Sequence, residues 1–183
     1  MSFAVDEEYW KKLYEKVWPK SKKREDTILS LIQEAGFSDA QLVGFGAGSS
    51  KYLRGSPTKH GKKKGDPDIE IPSIEVAVEV TGTDVQSVTA EHNLWVRPDK
   101  IQNAHDHPER DTWIVHVLDR KAILRTIHLI PETIRRLLLV PRIHPTIRGA
   151  VETYIPIEAN DKIVKPFTEL LDHLNAKKAL LKS

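Results

Sequence analysis

The chain of 183 residues has no cysteine and a single methionine. Disulfides, thiolate nucleophiles and cysteine-ligated zinc are therefore excluded. It also lacks any apolar run near the roughly 20 residues that a membrane-spanning helix requires; the longest is Leu137-Leu138-Leu139-Val140. The opening residues, Met-Ser-Phe-Ala-Val-Asp-Glu-Glu, offer neither a basic segment nor an apolar one, so no secretory leader is expected. Gly44-Phe45-Gly46-Ala47-Gly48 is not followed by Lys-Ser/Thr, which removes the phosphate loop of the NTPases, and no serine triad is recognisable. Strong charge of one sign is missing too. The formal net charge is +2, which by itself argues for no particular partner. These absences lead to the expectation of an intracellular, cytoplasmic protein with no membrane segment.

What is present suits a folded domain, with 39% hydrophobic and 30% charged residues. Helical spacing of Tyr9, Trp10, Leu13, Tyr14 and Val17 predicts a helix over 6–18, interrupted at Pro19 and Ser21. A second helix is expected over 23–35, capped by Gly36. A short strand at 40–46 precedes a Gly-, Ser- and Lys-rich loop over 47–66. Strands follow at 68–71 and 74–81, the second with Ile74, Val76, Val78 and Val80 on one face and Glu75, Ala77, Glu79 and Thr81 on the other. A helix from Pro98 to Asp106, a buried strand at 112–118 and a short helix over 132–139 come next, with 120–128 open between helix and strand. An edge strand at 151–157 and a final helix over 164–181, packing Phe167, Leu170, Leu171, Leu174 and Leu181, complete the chain. Trp95-Val96-Arg97 and Trp113 are expected to anchor packing. The order implies an α/β fold, a mixed central sheet with helices on both faces. It reads as one domain, with a core over about 22–130 on which helix 6–18 and a helical and strand extension, 141–183, pack.

Charge is concentrated in one place. Lys51, Arg54, Lys59, Lys62, Lys63 and Lys64 stand against Asp66 alone, a local charge of +5. A run of this kind is commonly a solvated linker. Directly before a cluster of acids it reads instead as an arm that contacts phosphates. Asp68 heads one strand and Glu79 lies near the end of the next, so a hairpin would bring both carboxylates to one point, with the carbonyl of Val80 beside them. Two converging acids can hold Mg²⁺, which prefers oxygen ligands and activates water for phosphodiester hydrolysis. Asp66, two residues before Asp68, is an alternative ligand. His105 and His107 lack a third ligand, and His116 reads as a core histidine.

The segment Gly65-Asp66-Pro67-Asp68, a gap of ten residues, then Glu79-Val80-Thr81 resembles the motif of the PD-(D/E)xK nucleases. An acid on the preceding helix, Glu25, sits on the row Glu25, Ile28, Ile32 and Ala35 and extends the likeness to archaeal Holliday-junction resolvases, over roughly residues 22–118. The resemblance implies a restriction-endonuclease-like fold and an endonuclease acting on duplex or branched DNA, working as a homodimer. It also implies Mg²⁺, with Mn²⁺ as a substitute, held by Asp68, Glu79 and the Val80 carbonyl, and Glu25 assisting a water or a second ion. Thr81 departs from the family, which has lysine there. Either Lys100 on the following helix fills the role, or a lysine from 62–64 does, or the domain binds nucleic acid without cutting it.

Overall fold

The structure is a computed structural model and describes residues 7–44, 61 and 66–182. Helix α1 spans Glu7–Glu34 with Pro19 inside it, so the expected break at 19–21 does not occur. A proline removes one donor from the helical ladder without forbidding its continuation. On the far side of Pro19, Ile28 and Ile32 are fully buried and hold the helix to the sheet. Gly36 ends the helix as expected. Its φ of 99° lets its N–H donate to the Gln33 carbonyl at 2.9 Å, while Phe37 N–H reaches the Ile32 carbonyl at 3.3 Å. This paired closure satisfies the last carbonyls of the helix, and Phe37 packs with Ile32 in the core.

The strands are β1 (Gln41–Leu42), β2 (Ile69–Ile71), β3 (Val76–Thr83), β4 (Leu94–Val96), β5 (Asp111–Leu118), β6 (Ile123–His128), β7 (Thr146–Ile147), β8 (Ala150–Val151), β9 (Ile155–Ile157) and β10 (Lys165–Pro166). The remaining helices are α2 (Pro98–Asp106), α3 (Pro131–Leu138) and α4 (Phe167–Leu180). Six strands form one mixed sheet in the order β1-β2-β3-β5-β6-β10. Among the described residues only β3 and β5 run parallel, and the chain passes between them through β4 and α2, as a parallel pair requires a crossover. The pairs β4–β9 and β7–β8 form small separate ribbons.

Helices cover both faces, as the sequence pattern leads one to expect. One face carries Ile28 and Ile32 of α1, Leu170 and Leu174 of α4, and Val76, Val78, Trp113 and Val115 of the sheet. The other gathers Ile101 and Ala104 of α2, Ile134 and Leu137 of α3, Ile114 and Ile127, and Leu94, Val96, Ile155 and Ile157 of the β4–β9 ribbon. The central strands β3 and β5 are buried along most of their length, which is why β5 is a continuous apolar run rather than an alternating one.

Several local expectations shift. The ambiguous stretch 120–128 is strand β6, because a tight turn at Asp119–Lys121 and Ala122 at φ 51° return the chain antiparallel to β5. Ribbon strand β4 was concealed within a polar stretch. Trp95 is 41% exposed and rests against Tyr154 at a ring distance of 5.8 Å, whereas Val96 and Trp113 are buried. Leu181 lies past α4 and is 65% exposed. Segment 165–180 supplies an edge strand of the main sheet and two core leucines. Among the described residues no helix is long and apolar enough to cross a membrane.

Candidate active site at the β2–β3 hairpin

Pro72–Ile74 form a short turn and Glu75 adopts φ 53°, which folds β3 back antiparallel on β2. Ile69 pairs with Val78, and Asp68 N–H extends the ladder to the Val78 carbonyl at 3.1 Å. Asp68 therefore stands beside Glu79. Directly opposed residues share a face of an antiparallel pair, so the two carboxyls converge as the sequence suggested. Asp68 Oδ2 accepts a hydrogen bond from Val80 N–H at 2.8 Å, which locks the acid to the opposite strand.

Glu79 is 3% exposed. Its face is that of Ile114, with which it is paired across β3–β5, and helix α2 covers that face. Pro98 starts α2 and places Lys100 in its first turn. Lys100 Nζ lies 2.6 Å from Glu79 Oε2 and donates to the Asp66 carbonyl at 3.1 Å. Helix α2 thus brings an ammonium to the carboxylate that stands two residues before Thr81. Thr81, two residues beyond Glu79, is half-buried on the same side of β3.

Glu25 completes the group from α1. Burial first, then the charges of Asp68 and Asp26, push its carboxyl up to about 8, against the opposing pull of Lys100 and Lys22. Burial and Asp68 likewise raise the Glu79 carboxyl well above its ordinary range. Burial alone would lower the Lys100 ammonium, but Glu79 and Asp68 overcome that and hold it charged. Three carboxyls are therefore gathered around one ammonium, an arrangement short of positive charge. Glu79 Oε2 is buried and, despite the nearby ammonium, accepts no well-directed hydrogen bond. The ammonium at 2.6 Å already gives this oxygen a cationic partner, so the case for a metal rests on the donor set. The donors are all oxygens, which suits Mg²⁺ and Mn²⁺ rather than a softer ion.

Other sequence candidates fall elsewhere. Asp66 contributes its backbone carbonyl to Lys100. His105 pairs with Asp106 and His107 with Glu109. His116 is a core histidine, 3.2 Å from the Arg125 guanidinium, with burial and that charge lowering it to about 4. Lys51, Arg54, Lys59, Lys62, Lys63 and Lys64 lie outside the described residues.

One contributor carries no signal readable in the sequence. Gly44, at the end of β1, donates to the Asp68 carbonyl at 3.3 Å, beside Val43 at 2.9 Å. A Cβ on Gly44 would sit 3.0 Å from Asp68 Oδ1 and 3.1 Å from its Cα. The glycine thus leaves the space in which Asp68 is held.

No protein-family model and no curated protein sequence matches the chain. Among solved structures, it is similar to that of Archaeoglobus fulgidus Hjc, a Holliday junction resolvase from an archaeal hyperthermophile, at 16% identity and a TM-score of 0.46, covering 84% of this chain and 96% of that one. It is also similar to a nuclease from a fusselovirus, at 19% identity and a TM-score of 0.38, covering 59% of this chain and 61% of that one. Both scores lie below 0.5, so the chemistry of the site is inferred from the geometry of the chain's own residues.

Proposed function

We propose that the chain is a metal-dependent endonuclease that hydrolyses phosphodiester bonds of duplex or branched DNA. The observation that carries this is Lys100, which reaches from α2 to Glu79 and supplies the ammonium that Thr81 cannot. A half-buried lysine facing three acids, with the ionisation of Glu25 and Glu79 strongly shifted, is the kind of cluster that active sites favour.

Asp68 and Glu79, with the Val80 carbonyl, would hold Mg²⁺, and Mn²⁺ could take its place. When bound, the ion would supply Lewis-acid activation of water and neutralise charge on the phosphate. Lys100, held protonated by its carboxylates, acts as a donor and not as a base. It orients the attacking water and balances charge that builds on the scissile phosphate. Glu25, with a carboxyl near neutrality, is suited to take up a proton beside the site. Thr81 can hydrogen-bond a water from its hydroxyl. The basic segment with Lys51, Arg54, Lys59, Lys62, Lys63 and Lys64 would grip the DNA backbone. Cutting both strands of a duplex asks for two sites, hence a homodimer acting inside the cell.

The direct test is cleavage of plasmid, four-way junction and single-stranded DNA with Mg²⁺ or Mn²⁺, comparing the native chain with Asp68→Ala and Glu79→Ala. Metal-dependent cutting lost in both variants is expected. No cutting of any substrate overturns the enzyme reading, and cutting that survives both substitutions overturns the site.

A further inference from the structure

On the opposite face of the sheet from Glu79, a second group of side chains converges without any role in the chemistry above. Asp111 opens β5, and its pairing with Val76 places it on the Val76–Val78 face, towards α4. His128 closes β6, opposite Trp113, and its ring stacks on the indole at 4.2 Å with 9° between planes. His173 lies on α4 three residues after Leu170 and one before Leu174, both buried, and its ring is 4.7 Å from that of His128. The two imidazoles approach one carboxylate from different elements. His128 Nε2 is 2.7 Å from Asp111 Oδ1, and His173 Nε2 is 2.6 Å from Asp111 Oδ2.

We propose that Asp111, His128 and His173 form a binding site for a divalent transition metal, Zn²⁺ by its donor set, that clamps α4 to the ends of β5 and β6. The three ligand atoms lie within 4.8 Å of one another. Zn²⁺ at about 2.0–2.2 Å from each donor asks for donor separations of roughly 3.3–3.6 Å. The present separations of 2.6 and 2.7 Å are those of hydrogen bonds and would open by under about 1 Å to admit the ion between carboxylate and rings. Two imidazoles and a carboxylate match Zn²⁺ and its neighbours and do not match Mg²⁺. The rings are already oriented, His128 by the indole and His173 by the buried leucines of its helix. Asp111, His128 and His173 are each partly exposed, which gives an ion and a fourth, water ligand a way in.

Lys177, one helical turn beyond His173, places Nζ 3.0 Å from Asp111 Oδ2. Without metal this ammonium is the counter-ion of the carboxylate, and it competes for the position the metal would take. The site therefore predicts an unusual sign for one substitution. Removing a lysine should strengthen binding of a cation.

The site stands apart from the proposed nuclease centre, so its test does not depend on cleavage. The 183-residue chain, stripped of transition metals, carrying Asp68→Ala and Glu79→Ala and kept in excess Mg²⁺, is titrated with Co²⁺ while visible absorption and thermal midpoint are followed. One equivalent of Co²⁺ should give the absorption bands of a nitrogen- and oxygen-ligated site, be displaced by Zn²⁺, and raise the midpoint. His173→Gln and His128→Gln should each weaken binding by about tenfold or more, at least the loss seen when groups that merely orient a ligand are removed. Lys177→Met should tighten it. Absence of the bands overturns the proposal, as does binding unchanged in both histidine variants, or a Lys177→Met chain that binds more weakly while its far-ultraviolet circular dichroism is unchanged.

Discussion

Lys100 is proposed to fill, from a helix, the role that the motif gives to a lysine at position 81. At position 81 the side chain stands two residues beyond Glu79 on the same strand; Lys100 reaches the same carboxylate from a helix that covers that strand. If the ammonium is what matters, Lys100→Ala should lower the cleavage rate by about 10²–10³, the cost of losing one donor aimed at developing charge, with metal-dependent stabilisation of the fold largely retained. The double variant Lys100→Ala, Thr81→Lys should then recover part of that loss in the same cleavage assay. A double variant no better than Lys100→Ala alone would show that the helix position itself is required.

Glu25 gives a second prediction at this scale. The carboxyl is at about 8 in the folded chain, against an ordinary value of 4.5. Between those values the folded chain keeps a proton that the unfolded chain has lost, so unfolding releases a proton and stability falls as pH rises. In EDTA the thermal midpoint should therefore decline from about pH 4.5 to about pH 8. Glu25→Gln should lessen the decline, and Glu79, raised by its burial, should account for part of what remains. Mg²⁺ should raise the midpoint more at pH 8 than at pH 5, because it supplies the positive charge the ionised carboxyls lack. A midpoint independent of pH across this window, with and without Glu25→Gln, would remove the basis for calling the site charge-deficient.

At the scale of elements, two glycines separate folding from function. A Cβ on Gly82 would meet the Val117 carbonyl oxygen at 2.3 Å, in the parallel pair at the centre of the sheet. Neither backbone can yield there without breaking the ladder, so Gly82→Ala should cost about 1–3 kcal/mol or more in urea unfolding. Gly44→Ala meets mainly the carboxyl end and Cα of Asp68. It should leave the unfolding midpoint closer to native than Gly82→Ala does, yet depress cleavage more than its stability loss explains. Neither glycine was identifiable from the sequence, since each close approach is made by a residue distant in the chain. The hairpin itself was legible, because Val76, Val78 and Val80 alternate with Ala77, Glu79 and Thr81 along β3. So was α2, where Pro98 marks the start. Pro19 misled for the opposite reason: a local breaking signal was overridden by the tertiary burial of Ile28 and Ile32. Lys100 could be nominated, since a missing charge restricts the candidates. Asp111, His128 and His173 could not, because 17 and 45 residues separate them and no spacing rule links β5, β6 and α4.

For the molecule as a whole, charge is the property that connects the site to its substrate. A net charge of +2 conceals a local +5 between Lys51 and Asp66, directly ahead of the acids that would hold the metal. On the proposed reading the two opposed charges serve different ends: the acids would hold a cation at the point of cleavage, and the basic segment would attract the polyanion that the acids alone would repel. The affinity for duplex DNA, measured with cleavage suppressed by Ca²⁺ in place of Mg²⁺, should then fall linearly on a logarithmic salt axis. Each phosphate contact contributes a slope of about −0.9, so Lys62→Ala, Lys63→Ala and Lys64→Ala together should flatten it by about 2–3. The metal-dependent rise in thermal midpoint should be untouched by the triple substitution, because none of the three lysines is asked to hold the ion. An unchanged slope would assign DNA attraction to another surface, whereas a lost metal response with an unchanged fold would place those lysines in the site and reopen the choice between them and Lys100.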